Sequence, residues 1–261
     1  MAAPLNNFMT FKSVSIPLDI AALIITGTVS LFFAGVFILL PLYFSEVGKS
    51  KWTNKSGALL YFACLGAGFI IIEFVFIQLF MKLIGSPLYT SSTVIFMLLF
   101  SAGTGSFTTS KLNITPTHRW PGPFLGILVT GLFLMLIYPY VFYFFLAAPI
   151  SIRILVASLL IFPLGFFLGM PFPLGILSLE NQPQGAIAWA WGMNGLFTVI
   201  GGLVGVVLSI IWGFQATLLS AFFLYVVALL VFAKIRLVVI ETEPRQAQSL
   251  RTPVSVGIIT E

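Results

Sequence analysis

Seven long apolar stretches constrain the fold of this chain more than any other feature. They cover roughly residues 20–44, 57–82, 89–110, 123–147, 152–177, 186–212 and 214–236. Each is long enough to cross the hydrocarbon core of a bilayer as an α-helix, which takes about 20 apolar residues. Charged residues make up only 7% of the chain, whereas about 25% is typical of soluble domains. The sequence therefore predicts an all-α, polytopic membrane bundle of seven transmembrane helices.

The apolar stretches leave little room for another folded unit. We expect an N-terminal segment over residues 1–19, a transmembrane domain over residues 20–237 and a C-terminal tail over residues 238–261. The loops are too short for a nucleotide-binding domain or a comparable extramembrane module. Residues 1–19 lack the short apolar core and cleavage site of a signal peptide. We therefore expect the first span to stay in the membrane.

Basic residues are distributed unevenly between the two sides of the predicted bundle. Three of them, Lys12, Lys82 and Arg153, lie on the side of the N-terminus, and the other nine lie on the opposite side. Cytoplasmic loops are enriched in Lys and Arg, so we predict the N-terminus outside and the C-terminus in the cytoplasm. The same enrichment explains the net charge of +5 without nucleic-acid binding. We expect an integral protein of a bacterial inner membrane.

One acidic residue, Glu73, lies deep inside a predicted span. A carboxylate in hydrocarbon is costly unless it is paired or protonated. Two interpretations stay open: a proton or cation site, and a structural carboxyl bound to a neighbouring helix. We expect Glu73 to face the bundle interior, with Arg153 as its best charged partner. Gln78 and Asn194 are the other polar residues at depth, and the Asn194 amide is expected to satisfy carbonyls released in the fifth span.

Three prolines, Pro163, Pro171 and Pro173, lie in the fifth predicted span. Each removes a backbone donor and clashes with the preceding turn. We expect this span to depart from a regular helix between Pro163 and Gly175. Broken helices form binding sites in transporters, but they also occur as inert kinks, which we favour here.

Small residues recur at the spacing that lets membrane helices approach closely. The pattern predicts helix packing, with a thin-walled pathway or a surface for a partner helix as the alternative. The glycines concerned are Gly103, Gly105, Gly165, Gly169, Gly201 and Gly205.

The sequence contains no recognisable set of catalytic or metal-binding residues. The single cysteine, Cys64, and the single histidine, His118, exclude an internal disulfide and a His-cluster metal site. A phosphate-binding glycine loop and a nucleophile–base pair are also missing. We therefore expect no catalytic residue, no cofactor and no metal, and hence no enzyme activity.

Several motifs follow one another along the apolar part of the chain. They are Ile72-Glu73 with Gln78, the sequence Leu-Ile-Gly-Ser-Pro-Leu-Tyr at 83–89, Ser-Ala-Gly-Thr-Gly-Ser at 101–106, Gly-Met-Pro-Phe-Pro-Leu-Gly at 169–175 and Ala-Trp-Ala-Trp-Gly-Met-Asn-Gly at 188–195. Together they resemble integral-membrane proteins related to spermidine synthase. The resemblance covers about residues 55–232 and implies a multi-span bundle. In that family the bundle is fused to an aminopropyltransferase-like Rossmann domain. The motifs belong to the membrane half alone, so the resemblance implies no enzymatic activity.

Two functions are compatible with these features. We expect a non-catalytic membrane subunit or scaffold that contacts the lipid bilayer and other membrane subunits within a larger complex. A separately encoded soluble protein is a further candidate partner. The alternative is a small-molecule or proton-coupled transporter that uses Glu73. Transporters are commonly built from internal repeats, and the two halves of this sequence do not match each other, so we favour the subunit.

Overall fold

Long apolar helices make up most of the structure. The structure is a computed structural model that describes residues 8–11, 14–44, 49, 52, 54–111, 121–183 and 185–249. Within this part, five helices are long and apolar enough to cross a membrane. The prediction of a helical chain with several helices able to span a membrane is therefore confirmed. The count of seven spans and the orientation of the termini stay predictions.

The first described residues form a hairpin that the sequence did not predict. Strands β1 (Phe8–Phe11) and β2 (Val14–Pro17) pair antiparallel. The chain then continues as α1 (Leu18–Ala34), a π-helical turn (Gly35–Leu39) and α2 (Leu40–Phe44). This run coincides with the first predicted span. Its apolar helical part, Ile25–Leu39, is shorter than the five helices that are long enough to cross a membrane.

Six further helices follow. They are α3 (Lys55–Ile84), α4 (Pro87–Lys111), α5 (Pro121–Phe145), α6 (Ile150–Leu168), α7 (Pro171–Leu177) and α8 (Gly185–Ser249). Since α8 continues to Ser249, the first half of the expected C-terminal tail is helical. Residues 250–261 lie outside the described part.

Local sequence explains where several of these helices begin and end. Pro87, Pro121 and Pro171 each occupy the first helical position, where the missing N–H would have no intrahelical acceptor. At the end of α3, Gly85 adopts a left-handed conformation with φ of 83°. Its N–H donates to the carbonyl of Met81 at 2.9 Å, which closes the last turn of the helix.

Helix α3 occupies the centre of the bundle. In its most apolar window 67% of the residues are buried, against 22–39% in the other four candidate spans. Phe62, Ile72, Phe76 and Phe80 on α3 are almost completely inaccessible. The remaining helices therefore pack around α3, and each exposes much of its own apolar surface.

Helix α8 is divided into two arms by a non-helical residue. Gly213 has φ of 80° and ψ of 171°, a combination that is essentially restricted to glycine. We call residues 185–212 the first arm and residues 214–235 the second arm. Gly213 also falls between the sixth and seventh apolar stretches of the sequence.

The two arms run in opposite directions along α3. In the first arm, Asn194 lies against Gly66 and Gly205 lies against Ile71, so this arm is parallel to α3. In the second arm, Phe214 lies beside Lys82 at the end of α3, whereas Phe232 lies beside Tyr61 near its start. The second arm is therefore antiparallel to α3, and the chain turns back at Gly213.

Replacing Gly213 with alanine tests this reversal. A side chain at this backbone conformation is strained, and such strain costs about 1–3 kcal/mol. We expect Gly213→Ala to lower the midpoint of thermal unfolding in detergent.

Gly202→Ala is the matched control, because an added Cβ there would meet its nearest atom, Cγ1 of Ile70, at an ordinary 3.7 Å. This change replaces a helical glycine and should leave the midpoint unchanged or raise it. If Gly213→Ala were as stable as Gly202→Ala, α8 would continue through residue 213 without a reversal.

Candidate functional site

Glu73 lies near the middle of α3 at the margin of the core. It is half-buried, while its neighbours Ile72 and Val75 are fully buried. Among the described residues, none donates a hydrogen bond to the Glu73 carboxyl or forms an ion pair with it. Gln78, one and a half turns further along α3, is also half-buried and has no partner in that part of the chain.

The structure does not bring Arg153 to Glu73. The Nη1 group of Arg153 donates to the carbonyl of Leu83 at 3.0 Å. Leu83 lies ten residues beyond Glu73, about 15 Å along the helix at 1.5 Å per residue. A cation at this position stabilises the carboxyl end of α3. The ion pair between Arg153 and Glu73 expected from the sequence is therefore not formed. Arg153 instead binds a carbonyl in the last turn of α3, far from Glu73 near the middle of that helix.

Asn194 also contacts α3 and not the fifth span. Its Nδ2 group donates to the carbonyl of Phe62 at 3.2 Å. A Cβ on Gly66 would collide with the backbone carbonyl of Asn194, so the two helices touch through their main chains at this point. The amide was expected to satisfy carbonyls released by prolines, and instead it joins α3 to the first arm of α8.

The fifth predicted span is interrupted between α6 and α7. Gly169 and Met170 separate the two helices, and Pro171 and Pro173 lie in the first turn of α7. Pro163, in contrast, lies inside α6, which continues through it. The interruption therefore occurs where two prolines close together can begin a new helix, and a single proline is not sufficient to cause it.

A buried tyrosine links this interruption to α3. The hydroxyl of Tyr61 donates to the carbonyl of Pro171 at 2.6 Å, and Gly175 lies against the Tyr61 ring. The role of Tyr61 was not predictable from the sequence, because an aromatic residue in an apolar run does not reveal which carbonyl its hydroxyl will reach.

Glycines allow α4 and α6 to cross in direct backbone contact. A Cβ on Gly105 would collide with the carbonyl of Phe166, and a Cβ on Gly169 would collide with the carbonyl of Ala102. Gly165 faces the hydroxyl of Ser101 in the same way. Arg153 at the start of α6 bonds to Leu83, just before α4 begins, whereas Gly169 at the end of α6 lies against Ala102, so α4 and α6 are parallel.

The glycines of α8 make a similar contact with α3, but Gly103 does not take part in either. A Cβ on Gly201 would lie 2.6 Å from Cα of Ala67, and one on Gly205 would lie 3.3 Å from Ile71. A Cβ on Gly103 would meet no atom within 4 Å. Two residues turn a helix by about 200°, so Gly103 faces away from α6 when Gly105 faces towards it.

A cavity of about 310 Å³ lies beside the Gly213 reversal, between α3, α5 and α8. Its lining includes the polar side chains of Lys82, Tyr138 and Gln215. The Nζ of Lys82 lies 5.5 Å from the ring centroid of Phe214, and the Tyr138 hydroxyl donates to the carbonyl of Leu79 at 3.2 Å. This cavity was not predictable from the sequence, because the reversal at Gly213 brings these distant residues together.

The described residues offer packing surfaces and a cavity but no reactive cluster. No group of three His, Cys, Asp or Glu side chains within this part has an arrangement that could hold a metal ion. Cys64 is a buried free thiol, and His118 lies outside the described residues.

Comparisons with known proteins found no family model, no curated protein and no solved structure that matches this chain. The resemblance to integral-membrane proteins related to spermidine synthase stays a prediction from the sequence motifs.

The crossing of α4 and α6 provides a matched pair of substitutions. Gly105→Ala should push the two helices apart, because the new Cβ would collide with backbone and not with a movable side chain. Overpacking of this kind costs about 1–3 kcal/mol.

Gly103→Ala places the same methyl group into open space on the same helix. We expect it to leave stability unchanged or to improve it slightly through higher helix propensity. Thermal unfolding in detergent compares the two variants, and an equal loss in both would contradict the crossing at Gly105.

Proposed function

We propose that this chain is a non-catalytic subunit of a larger membrane protein complex. The unpartnered carboxyl of Glu73 is the observation that supports this proposal. It lies near mid-span on α3 and is partly exposed at the margin of the bundle, without a hydrogen bond from the described residues. Intramembrane carboxyls are expensive unless they are paired, so we infer that a neighbouring chain supplies the partner.

Two basic side chains at the end of α3, those of Arg153 and Lys82, do not reach Glu73. Arg153 is bound to the carbonyl of Leu83. Lys82 lies nine residues away on α3, about 13 Å along the helix axis, and its ammonium lies over Phe214. A hydroxyl, amide or basic side chain of another subunit, placed at the depth of Glu73, would satisfy the carboxyl.

Transport is the second candidate, and the same carboxyl supports it. A protonatable group at mid-membrane depth is typical of proton-coupled carriers. The packing around it favours the subunit, however. On the inner side of Glu73, Ile72, Val75 and Phe76 are fully buried, so these side chains fill the space that an aqueous pathway through the bundle would need.

The relative directions of the helices support seven crossings, and the uneven distribution of basic residues supports an external N-terminus. Spans separated by one other span must be parallel, and α4 is parallel to α6. In the same way, the first arm of α8 is parallel to α3 and the second arm is antiparallel to it. Together with the excess of basic residues on one side, this arrangement supports a location in a bacterial inner membrane. A separately encoded soluble protein would then dock on the cytoplasmic face.

Reporter fusions test the proposed orientation. A fusion after Lys55 should report a cytoplasmic location, and a fusion after Arg153 should report an external one. A cytoplasmic signal at Arg153 would overturn the orientation.

The mass of the gently solubilised particle tests the subunit proposal. We expect the wild-type chain to run with associated proteins, and Glu73→Ala to reduce the assembled fraction, by about tenfold if the lost contact contributes about 1.4 kcal/mol. Glu180→Ala is the control, because it removes an exposed carboxylate from the loop before α8.

A monomeric wild-type particle without associated proteins would end the subunit proposal, and transport would become the leading hypothesis. Proton uptake into proteoliposomes that is lost in Glu73→Gln but retained in Glu180→Gln would then support a proton site at Glu73.

A further inference from the structure

The cavity beside Gly213 has the size and lining of a ligand site. Its volume of about 310 Å³ falls at the lower end of the range for small-molecule sites, about 300–1,000 Å³. Val75, Leu134, Met135 and Leu218 form apolar walls. The polar groups are confined to a few positions, as in sites that orient an amphiphilic ligand.

The cavity carries a positive charge. Among the described residues that line it, Lys82 alone is charged, and its side chain is exposed. Its ammonium lies over the Phe214 ring, 5.5 Å from the centroid, which holds it at the cavity without neutralising it. Gln215 adds an amide donor to the same lining. This combination favours an anionic group.

The start of the second arm contributes to the same preference. Gly213 leaves the helical conformation, so the helix restarts at Phe214 on the cavity wall. The first N–H groups of a helix lack intrahelical acceptors and carry partial positive charge. They would add to the attraction of Lys82 for an anion.

The surroundings point to a lipid and not to a soluble anion. Trp212 lines the cavity and is 68% exposed, immediately before the reversal at Gly213. Tryptophan is enriched at the level of lipid headgroups. We propose that this cavity binds a membrane phospholipid with an anionic headgroup, with the headgroup at Lys82 and Gln215 and part of an acyl chain against Leu134 and Met135.

Native mass spectrometry of the purified full chain tests the proposal with defined probes. Phosphatidylglycerol and phosphatidylcholine with the same acyl chains are added separately, together with glycerol phosphate as a headgroup without a tail. We expect phosphatidylglycerol to bind about fivefold more tightly than phosphatidylcholine, the size expected for one lysine, and glycerol phosphate to bind too weakly to be retained.

Two lysines form a matched pair for this experiment. Lys82→Gln should remove the preference for phosphatidylglycerol, and Lys82→Arg should keep it. Lys111→Gln is the control, because the Nζ of Lys111 also lies over a phenylalanine ring, 5.0 Å from the centroid of Phe107, at the opposite end of the bundle. This control should keep the preference. Circular dichroism establishes that each variant is folded.

A third variant separates the apolar walls from the charge. Met135→Trp fills the cavity and keeps Lys82, so it should weaken phosphatidylglycerol binding. Equal binding of the two lipids, or an unchanged preference in Lys82→Gln, would overturn the proposal. Retention of glycerol phosphate as strong as that of phosphatidylglycerol would also overturn it, since the cavity would then be a site for soluble anions.

Discussion

Close packing of α3 against the two arms of α8 is the constraint on which the rest of the bundle depends. Within a few residues, Gly66 on α3 faces the main chain of Asn194 in the first arm, and Gly68 faces the ring of Tyr225 in the second arm. Lipid provides no hydrophobic driving force between helices, so association relies on close van der Waals packing and a few hydrogen bonds. Glycines at these points let α3 meet both arms at once.

The hydrogen bonds between helices follow the same organisation. Four hydrogen bonds from a side chain to the backbone of a distant helix have α3 as donor or acceptor. Tyr138, Arg153 and Asn194 donate to carbonyls of α3, and Tyr61 of α3 donates to the carbonyl of Pro171. Such carbonyls already accept helical bonds and use a second lone pair here. These four side chains therefore strengthen the packing around one helix.

The sequence predicted the elements better than their partners. Apolar runs placed the long helices within a few residues, because the bilayer thickness requires them. The partners of Arg153 and Asn194 were not predictable, because both bond to backbone carbonyls, which every residue possesses. Gly105 faces α6 and Gly103 faces away from it. The spacing of the glycines does not predict which of the two faces α6, because that depends on the rotation of α4 about its axis. The cavity at Gly213 depends on tertiary contacts in the same way.

The long separation between α3 and its partner helix has a consequence for biosynthesis. Asn194 and Phe62 are bonded although 132 residues separate them, and the chain between them forms α4, α5, α6 and α7. Helix α3 therefore enters the membrane long before the ribosome has made either arm of α8. Until then the surface of α3 around Gly66 lacks the helix that it contacts in the finished bundle. The bundle is consequently completed late, after α3 has been inserted, when the two arms of α8 pack against it.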